Sequence, residues 1–211
     1  MVIILPRDKT QAHEKIVKAA MHEFLTKGFE QASMKSIADA VGMTSAGLYR
    51  HFKDKQDMFA ELVKPGIALV DEWSAKHKQF SYQAINQESF EAMWDSTNSI
   101  NDGALILDVM YQMPEVFRLI ICCSGGTSYE NYIHDMVEAS TDEMMAFLNV
   151  CREKGIKTYD VNRDEMHMLI SAYMSALIQP IEHGYSKEDA KGYLKTMMYF
   201  FTPGWRMITG L

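Results

Sequence analysis

The sequence predicts an all-α protein with two domains. Apolar residues recur every three or four positions along most of its 211 residues, which is the period of an amphipathic helix. Runs of β-branched residues that alternate strictly with polar ones, as expected for strands, are absent from the sequence. Short clusters of Gly, Pro and Asn divide the chain into helices of ordinary length.

Composition limits the classes of protein to which the chain can belong. With 47% hydrophobic and 23% charged residues, it is typical of globular proteins. No apolar run reaches the length of a membrane span, and Pro6 and Arg7 interrupt the apolar start too early for a signal peptide. The three cysteines, Cys122, Cys123 and Cys151, lack the paired spacing of zinc sites. We therefore expect reduced thiols, a cytoplasmic location and no cofactor.

Three short helices are predicted near the N-terminus. The first is expected over residues 8–27, with Gly28 as its C-cap. The second begins after Ser33, a good N-cap, and ends at Gly42. The third follows the turn "GMT" over residues 45–52.

A longer helix should follow, starting after Asp54. Pro65 should kink or break it, because proline lacks the amide hydrogen that a helix interior needs. Beyond this point we expect about five more helices. The signals that separate them lie at 101–103, 114, 124–128, 153–155, 183–186 and 202–204.

The charge of the chain is unevenly distributed. Residues 7–55 carry nine Lys or Arg against six Asp or Glu, whereas residues 56–211 carry 12 against 22. The whole chain has a net charge of -7. A basic N-terminal segment on an acidic protein indicates a local site for a polyanion.

Residues 33–52 have the pattern of a helix-turn-helix. Ala38 is small where two crossing helices would touch, and Gly42 can adopt the positive φ of a sharp turn. The second helix of the pair begins with small residues, which allow close approach to base edges in the major groove. The predicted DNA-binding residues are Ser33, Lys35, Thr44, Ser45, Ala46, Gly47, Tyr49, Arg50, His51 and Lys55. The alternative is a helix pair used only for packing; the exposed polar face and the local positive charge favour DNA binding.

The segment Ala19 to Phe59 also resembles a known family. The matching residues are Phe24, Gly28, Phe29, Ile37, Ala38, Gly42, Leu48, Tyr49, His51, Phe52 and Lys55. In this order and spacing they resemble the tetracycline-repressor (TetR/AcrR-like) family of bacterial transcriptional regulators. In one respect the chain differs from many members, which have a basic residue in the first turn of the recognition helix. Here that turn reads Ser45-Ala46-Gly47.

The resemblance implies a DNA-binding domain over residues 1–54 and a ligand-binding and dimerisation domain over residues 55–211. It implies a repressor that binds double-stranded, palindromic operator DNA as a homodimer. A small-molecule effector would release the repressor. The acidic charge and the aromatic residues of residues 56–211 suggest an effector that is lipophilic, aromatic or cationic. An enzyme or carrier built on a helical bundle, and a DNA-binding activator or ligand-independent regulator, are the alternatives. Against an enzyme, the sequence contains no phosphate-binding glycine loop and no nucleophile motif.

Two apolar stretches near the C-terminus are predicted to form the dimer interface, mainly because the resemblance implies a dimer of this kind. They also carry more apolar residues than two helices of one domain would bury. The alternative is that all of them belong to the internal core. The predicted interface residues are Met166, Ile170, Tyr173, Met174, Leu177, Ile181, Leu194, Met197 and Phe201.

The middle of the chain is rich in methionine and aromatic residues, which adapt well to apolar ligands. Such residues are also common in an ordinary core. The predicted pocket residues are Trp73, Trp94, Asn98, Asp108, Met110, Tyr111, Phe117, Tyr129, Met136 and Tyr173.

Glu130, His134 and Glu138 share a helix face at a spacing of four, which is compatible with a metal ion. A solvated face with pairs at i and i+4 is favoured, so no metal ligand is assigned. The adjacent Cys122 and Cys123 could act as a redox sensor, but a buried inert pair is favoured.

Overall fold

The computed structural model describes residues 9–86 and 106–211, and every regular element in these ranges is helical. The N-terminal part contains helices α1 (Lys9–Gln31), α2 (Met34–Ala40), α3 (Ser45–Leu48) and α4 (Lys55–Asn86). A short helical segment at 106–110 precedes α5 (Pro114–Cys122), α6 (Tyr132–Glu153), α7 (Arg163–Glu182) and α8 (Lys187–Thr209). The all-α prediction is confirmed. The predicted break at 101–103 lies outside the described residues.

Glycines and a capping serine set the ends of the first two helices. Gly28 has a non-helical φ of 72°, close to the predicted end of α1, and one further turn extends the helix to Gln31. The Ser33 side chain accepts a hydrogen bond from the Ser36 amide at the start of α2. Gly42, with a φ of 68°, forms the turn after α2.

Helix α3 is shorter than the predicted 45–52. It ends at Leu48, and residues 49–51 form a turn. The amides of Arg50 and His51 donate to carbonyls only three residues back, those of Gly47 and Leu48, which tightens the backbone beyond α-helical geometry.

Two prolines lie inside helices that the sequence predicted to end or kink there. Helix α4 continues through Pro65 to Asn86, and α8 continues through Pro203. A break at either position is therefore wrong. Proline removes one backbone hydrogen bond, but buried residues such as Val63 and Val70 anchor α4 on both sides of Pro65.

The chain forms two compact units. Unit 1 contains the described residues up to Pro65 together with Glu115–Glu130, and unit 2 contains those of Gly66–Pro114 and Asn131–Leu211. The packing thus groups the first part of α4 with the N-terminal helices. The domain division at residues 54 and 55 stays a prediction.

Each unit has its own core. In unit 1, Phe24 and Phe59 are fully buried and meet edge to face, with ring centroids 5.3 Å apart. In unit 2, α6 packs on α7 through a cluster that includes Leu148, Met166 and Ile170. None of the helices in the described ranges combines the length and the apolar character needed to cross a membrane.

Candidate functional site

The start of α3 presents small side chains around a capped first turn. The Thr44 hydroxyl accepts a hydrogen bond from the Gly47 amide at 3.1 Å and caps the helix. Ala46 is exposed, whereas Ser45 and Gly47 are half-buried. The face is therefore open at the positions where the sequence predicted contact with DNA.

The polar residues that flank this turn are also accessible. Ser33, Lys35, Arg50 and His51 are exposed, and Tyr49 is 51% exposed although its ring is large and apolar. Neither the Lys35 ammonium nor the Arg50 guanidinium pairs with any residue in the described ranges. Within residues 9–86 and 106–211, these two positive charges are thus not neutralised by another side chain.

A buried carboxylate that was not among the residues predicted from sequence fixes α2 against α1. Glu23 is 8% exposed and accepts hydrogen bonds from the Ser33 amide at 3.1 Å, the Ser36 hydroxyl at 3.2 Å and the Lys27 ammonium at 2.8 Å. Burial raises the pKa of the Glu23 carboxyl, but the bonds from Lys27, Ser33 and Ser36 outweigh burial and lower it on balance. The i, i+4 spacing of Glu23 and Lys27 was the available signal.

Lys55 does not face DNA as predicted. Its ammonium donates to three carbonyl oxygens at the end of α1: Phe29 O at 2.6 Å, Glu30 O at 3.1 Å and Ala32 O at 3.0 Å. It also lies 4.4 Å from the centroid of the Phe29 ring. Because all three N–H donors are engaged, the side chain caps a helix end instead of contacting a phosphate. The prediction for this residue is corrected accordingly.

The predicted pocket residues divide between the two units. Phe117 and Tyr129 belong to unit 1, where Phe117 is buried and the Tyr129 ring lies 6.2 Å from that of Phe59. Trp94 and Asn98 lie outside the described residues.

The other predicted pocket residues belong to unit 2. Met110 is buried, Met136 is half-buried, and Trp73 stacks on His77. The Tyr111 hydroxyl donates to the Tyr185 carbonyl at 2.8 Å.

Two further predicted pocket residues, Asp108 and Tyr173, contact other side chains of unit 2. Asp108 pairs with Lys187 at 2.7 Å, so its charge is already neutralised. Tyr173 meets Phe201 and Trp205 edge to face. The pocket stays a prediction. A shallow depression that the sequence did not indicate is lined by Gln179, Pro180, His183, Tyr185 and Tyr193.

Most of the predicted dimer residues face the interior of unit 2. A side chain that is buried within its own chain is not available to a second copy, so this part of the prediction is wrong. The buried members are Met166, Ile170, Leu177, Ile181, Leu194 and Met197. Tyr173, Met174 and Phe201 are half-buried, and their place in the interface stays a prediction.

The predicted acidic and histidine face separates into two groups. Glu130 accepts a hydrogen bond from the Gly126 amide at 3.1 Å. His134 and Glu138 instead lie close to His167, a residue of α7 that the sequence analysis did not include.

The adjacent cysteines differ in exposure. Cys123 is buried, and burial raises the pKa of its thiol, which disfavours the reactive thiolate. Cys122 is exposed, so a buried pair is not what the structure shows.

Comparisons with known proteins identify similar bacterial transcriptional regulators. Residues 16–62 match the family model of the bacterial regulatory proteins, tetR family. The HTH-type transcriptional regulator AcrR of Shigella flexneri is 34% identical over 176 residues, which cover 82% of this chain and 79% of AcrR. The HTH-type transcriptional regulator YfiR of Bacillus subtilis is 34% identical over 61 residues, only 29% of either chain.

Solved structures share the fold. A TetR-like transcriptional regulator from Rhodococcus sp. RHA1 matches with a TM-score of 0.57 at 14% identity, covering 95% of this chain and 99% of the other. The regulator FadR from Bacillus halodurans matches with a TM-score of 0.54 at 15% identity, covering 91% and 98%.

Proposed function

The chain belongs to the tetR family of bacterial regulatory proteins and is a DNA-binding transcriptional regulator, and we propose that it is a repressor released from its operator by a small molecule. The supporting observation is the exposed surface of α3 and of the turn that follows it, where Tyr49 and Arg50 are accessible. The family consists of regulators, so the alternative of an enzyme or carrier is set aside. Activation, or regulation without a ligand, remains the competing proposal.

The proposed reading of DNA relies on short side chains. The first turn of α3 has no long cation, so Ser45 and Ala46 contact base edges only if the backbone comes close to them. Tyr49 and Arg50, in the turn that follows, reach further. Lys35 supplies a phosphate contact from the start of α2, and sequence-dependent DNA shape adds to the selection.

Gly47→Ala tests the close approach. A Cβ at this position would meet Met43 Cε and Thr44 Oγ1 at 3.4 Å, which is ordinary van der Waals contact, so the fold accommodates it. Alanine is also about 1 kcal/mol more favourable than glycine in a helix. We expect an unchanged or slightly raised Tm and roughly tenfold weaker binding, about 1.4 kcal/mol, to an operator selected from random DNA.

Fluorescence anisotropy at fixed salt measures the affinity. The matched control is Gly192→Ala in α8, where an added Cβ meets no atom within 4 Å. This control should bind the operator like the natural protein. Full operator affinity in the Gly47→Ala protein would contradict close approach by the first turn of α3.

We propose that the protein binds its operator as a homodimer through a face other than the one predicted from sequence. Large apolar side chains are exposed on α7 and α8, among them Met168 at 70% and Tyr199 at 86%. The small Ala172 and Ser175 lie exposed on α7, where they permit close helix approach. A two-fold dimer formed through this face has two α3 helices, and the half-sites of the palindromic operator that it would bind lie about 34–36 Å apart.

The proposed effector is lipophilic or aromatic, because unit 2 is rich in methionine and aromatic side chains. A thermal-shift screen of small molecules, followed by operator binding, tests this directly. A compound that raises the Tm should also weaken operator binding. Compounds that bind without changing operator affinity would favour a ligand-independent regulator.

We also propose a cytoplasmic location, because binding to the operator requires the protein to be in the same compartment as the bacterial DNA.

A further inference from the structure

Three side chains with metal-binding atoms converge where α6 packs on α7. His134 and Glu138 lie one turn apart on α6, and His167 projects from α7. Glu138 Oε1 is 3.1 Å from His167 Nδ1 and 3.9 Å from His134 Nε2. All three ligand atoms lie within 4.8 Å of one another.

These separations are close to those that a bound ion requires. Nitrogen and oxygen ligands lie about 2.0–2.2 Å from zinc, so neighbouring ligand atoms in a tetrahedral site are about 3.4 Å apart. The two histidine–carboxylate distances fall on either side of this value. Small side-chain rotations, without movement of the helices, would therefore bring the three atoms around one ion.

The two oxygens of Glu138 have different surroundings. Oε2 accepts a hydrogen bond from the Arg163 guanidinium at 2.6 Å, and Arg163 also bonds to Asp142. Oε1 is left directed at the two imidazoles. The hydrogen bond from Arg163 lowers the pKa of the Glu138 carboxyl, which keeps this ligand in its charged form. Arg163 thus has the position of an outer residue that orients a metal ligand.

The histidines differ in a way that also favours a metal. His167 Nδ1 is buried from solvent and has no hydrogen-bond partner among the residues that the structure describes, since its 3.1 Å approach to Glu138 lacks hydrogen-bond geometry. A buried nitrogen of this kind is costly unless it is satisfied, and a cation would satisfy it. The His134 side chain is 63% exposed, so water could complete the coordination from the open side.

We propose that His134, Glu138 and His167 bind a divalent transition metal of the Zn²⁺ type, which links α6 to α7. Two imidazoles and one carboxylate favour such an ion over Mg²⁺ or Ca²⁺, which prefer oxygen ligands. The competing interpretation is a pair of His–Glu ion pairs without metal, which at a partly exposed site would add little stability. The two interpretations differ in whether Zn²⁺ binds and which residues it needs.

The test uses the full chain after treatment with a chelator. Zn²⁺ is titrated against a coloured competing chelator, and thermal unfolding is recorded with and without Zn²⁺. We expect one Zn²⁺ per chain and a higher Tm in its presence, because an ion that binds only the folded state stabilises it.

Variants show which residues hold the ion. His167→Gln and Glu138→Gln should each lower the affinity by more than the roughly 10- to 100-fold loss typical of an outer residue, and Arg163→Lys should fall within that range. His183→Gln, at an exposed histidine that follows α7, and Cys122→Ser should both keep the affinity. Circular dichroism of each variant without metal verifies its fold.

Two outcomes would overturn the proposal. One is the absence of stoichiometric Zn²⁺ binding and of any Tm shift in the natural protein. The other is undiminished binding in folded His167→Gln or Glu138→Gln proteins, which would move the site elsewhere. If His167→Gln does not fold, Glu138→Gln and His134→Gln give the same information.

Discussion

Replacing Lys55 by methionine separates a role in the fold from a role in DNA binding. The methionine keeps an apolar side chain of similar length but removes the ammonium that bonds to three carbonyl oxygens of α1. Two of these bonds, to Phe29 O and Ala32 O, are partly buried, and the third is exposed. Each partly buried bond contributes about 1–1.5 kcal/mol and the exposed one contributes little. We therefore expect the free energy of unfolding to fall by about 2–3 kcal/mol. For a chain of this size, that lowers the Tm by about 4–12 °C.

Calorimetry or thermal circular dichroism measures the loss, with Lys64→Met as a control that removes an exposed charge from α4. The control should stay within about 0.5 kcal/mol of the natural protein. Salt-dependent operator binding supplies the second measurement. Lys35→Met removes one phosphate contact from each protomer, so it should reduce the slope of log affinity against log salt by about 1.8 for the bound dimer, whereas Lys55→Met should leave the slope unchanged. A Lys55→Met protein of natural stability with a reduced slope would refute the capping role.

The other predictions concern the α1–α2 contact and the dimer face. Glu23→Gln should cost about 1.5–3 kcal/mol, because it removes a charged acceptor from a buried group of donors, and chemical unfolding measures the loss. The pKa of Glu23 is lowered in the fold, so its contribution is present above the unfolded value of about 4.3 and is lost as pH falls through the folded value. The glutamine variant should therefore lose less stability upon acidification, and an identical pH dependence would contradict the assignment. Phe200→Glu should convert dimer to monomer in light scattering without a loss of fold, whereas Met197→Ala should cost about 2–5 kcal/mol of stability because Met197 is buried in its own chain. The opposite pattern would restore the interface predicted from sequence.

The helix-turn-helix could be predicted because its signals are local. The Ser33 cap and the positive φ of Gly42 depend on residues a few positions apart, and both occur where the sequence placed them. The short length of α3 is less evident, since nothing in residues 49–51 forbids a helix. Its end follows from a tightening of the backbone before Phe52, which is 2% exposed and stacks on His13 of α1.

Signals that depend on distant contacts were misjudged. Proline has an intrinsic tendency to end a helix, which is why a break was predicted at Pro65. Buried residues on either side of Pro65 instead hold α4 together, and their burial depends on parts of the chain distant in sequence. Lys55 was predicted to contact DNA because its carbonyl partners lie more than 20 residues earlier in the sequence and are not evident from local pattern. The same holds for His167, which joins His134 and Glu138 only through the packing of α6 on α7.

The dimer face shows why an apolar pattern does not by itself identify an interface. A helix that is apolar on two sides places only one of them in the core, and the periodicity of its apolar residues does not identify the side that is buried. In α8 the buried side includes Met197, while Tyr199, Phe200 and Met207 are 76–86% exposed. Burial of each such side chain would contribute about 1.5–3 kcal/mol, which the isolated chain does not gain. Because a second copy carries the same residues, a two-fold contact buries them on both sides, and we infer that the interface lies on this exposed face.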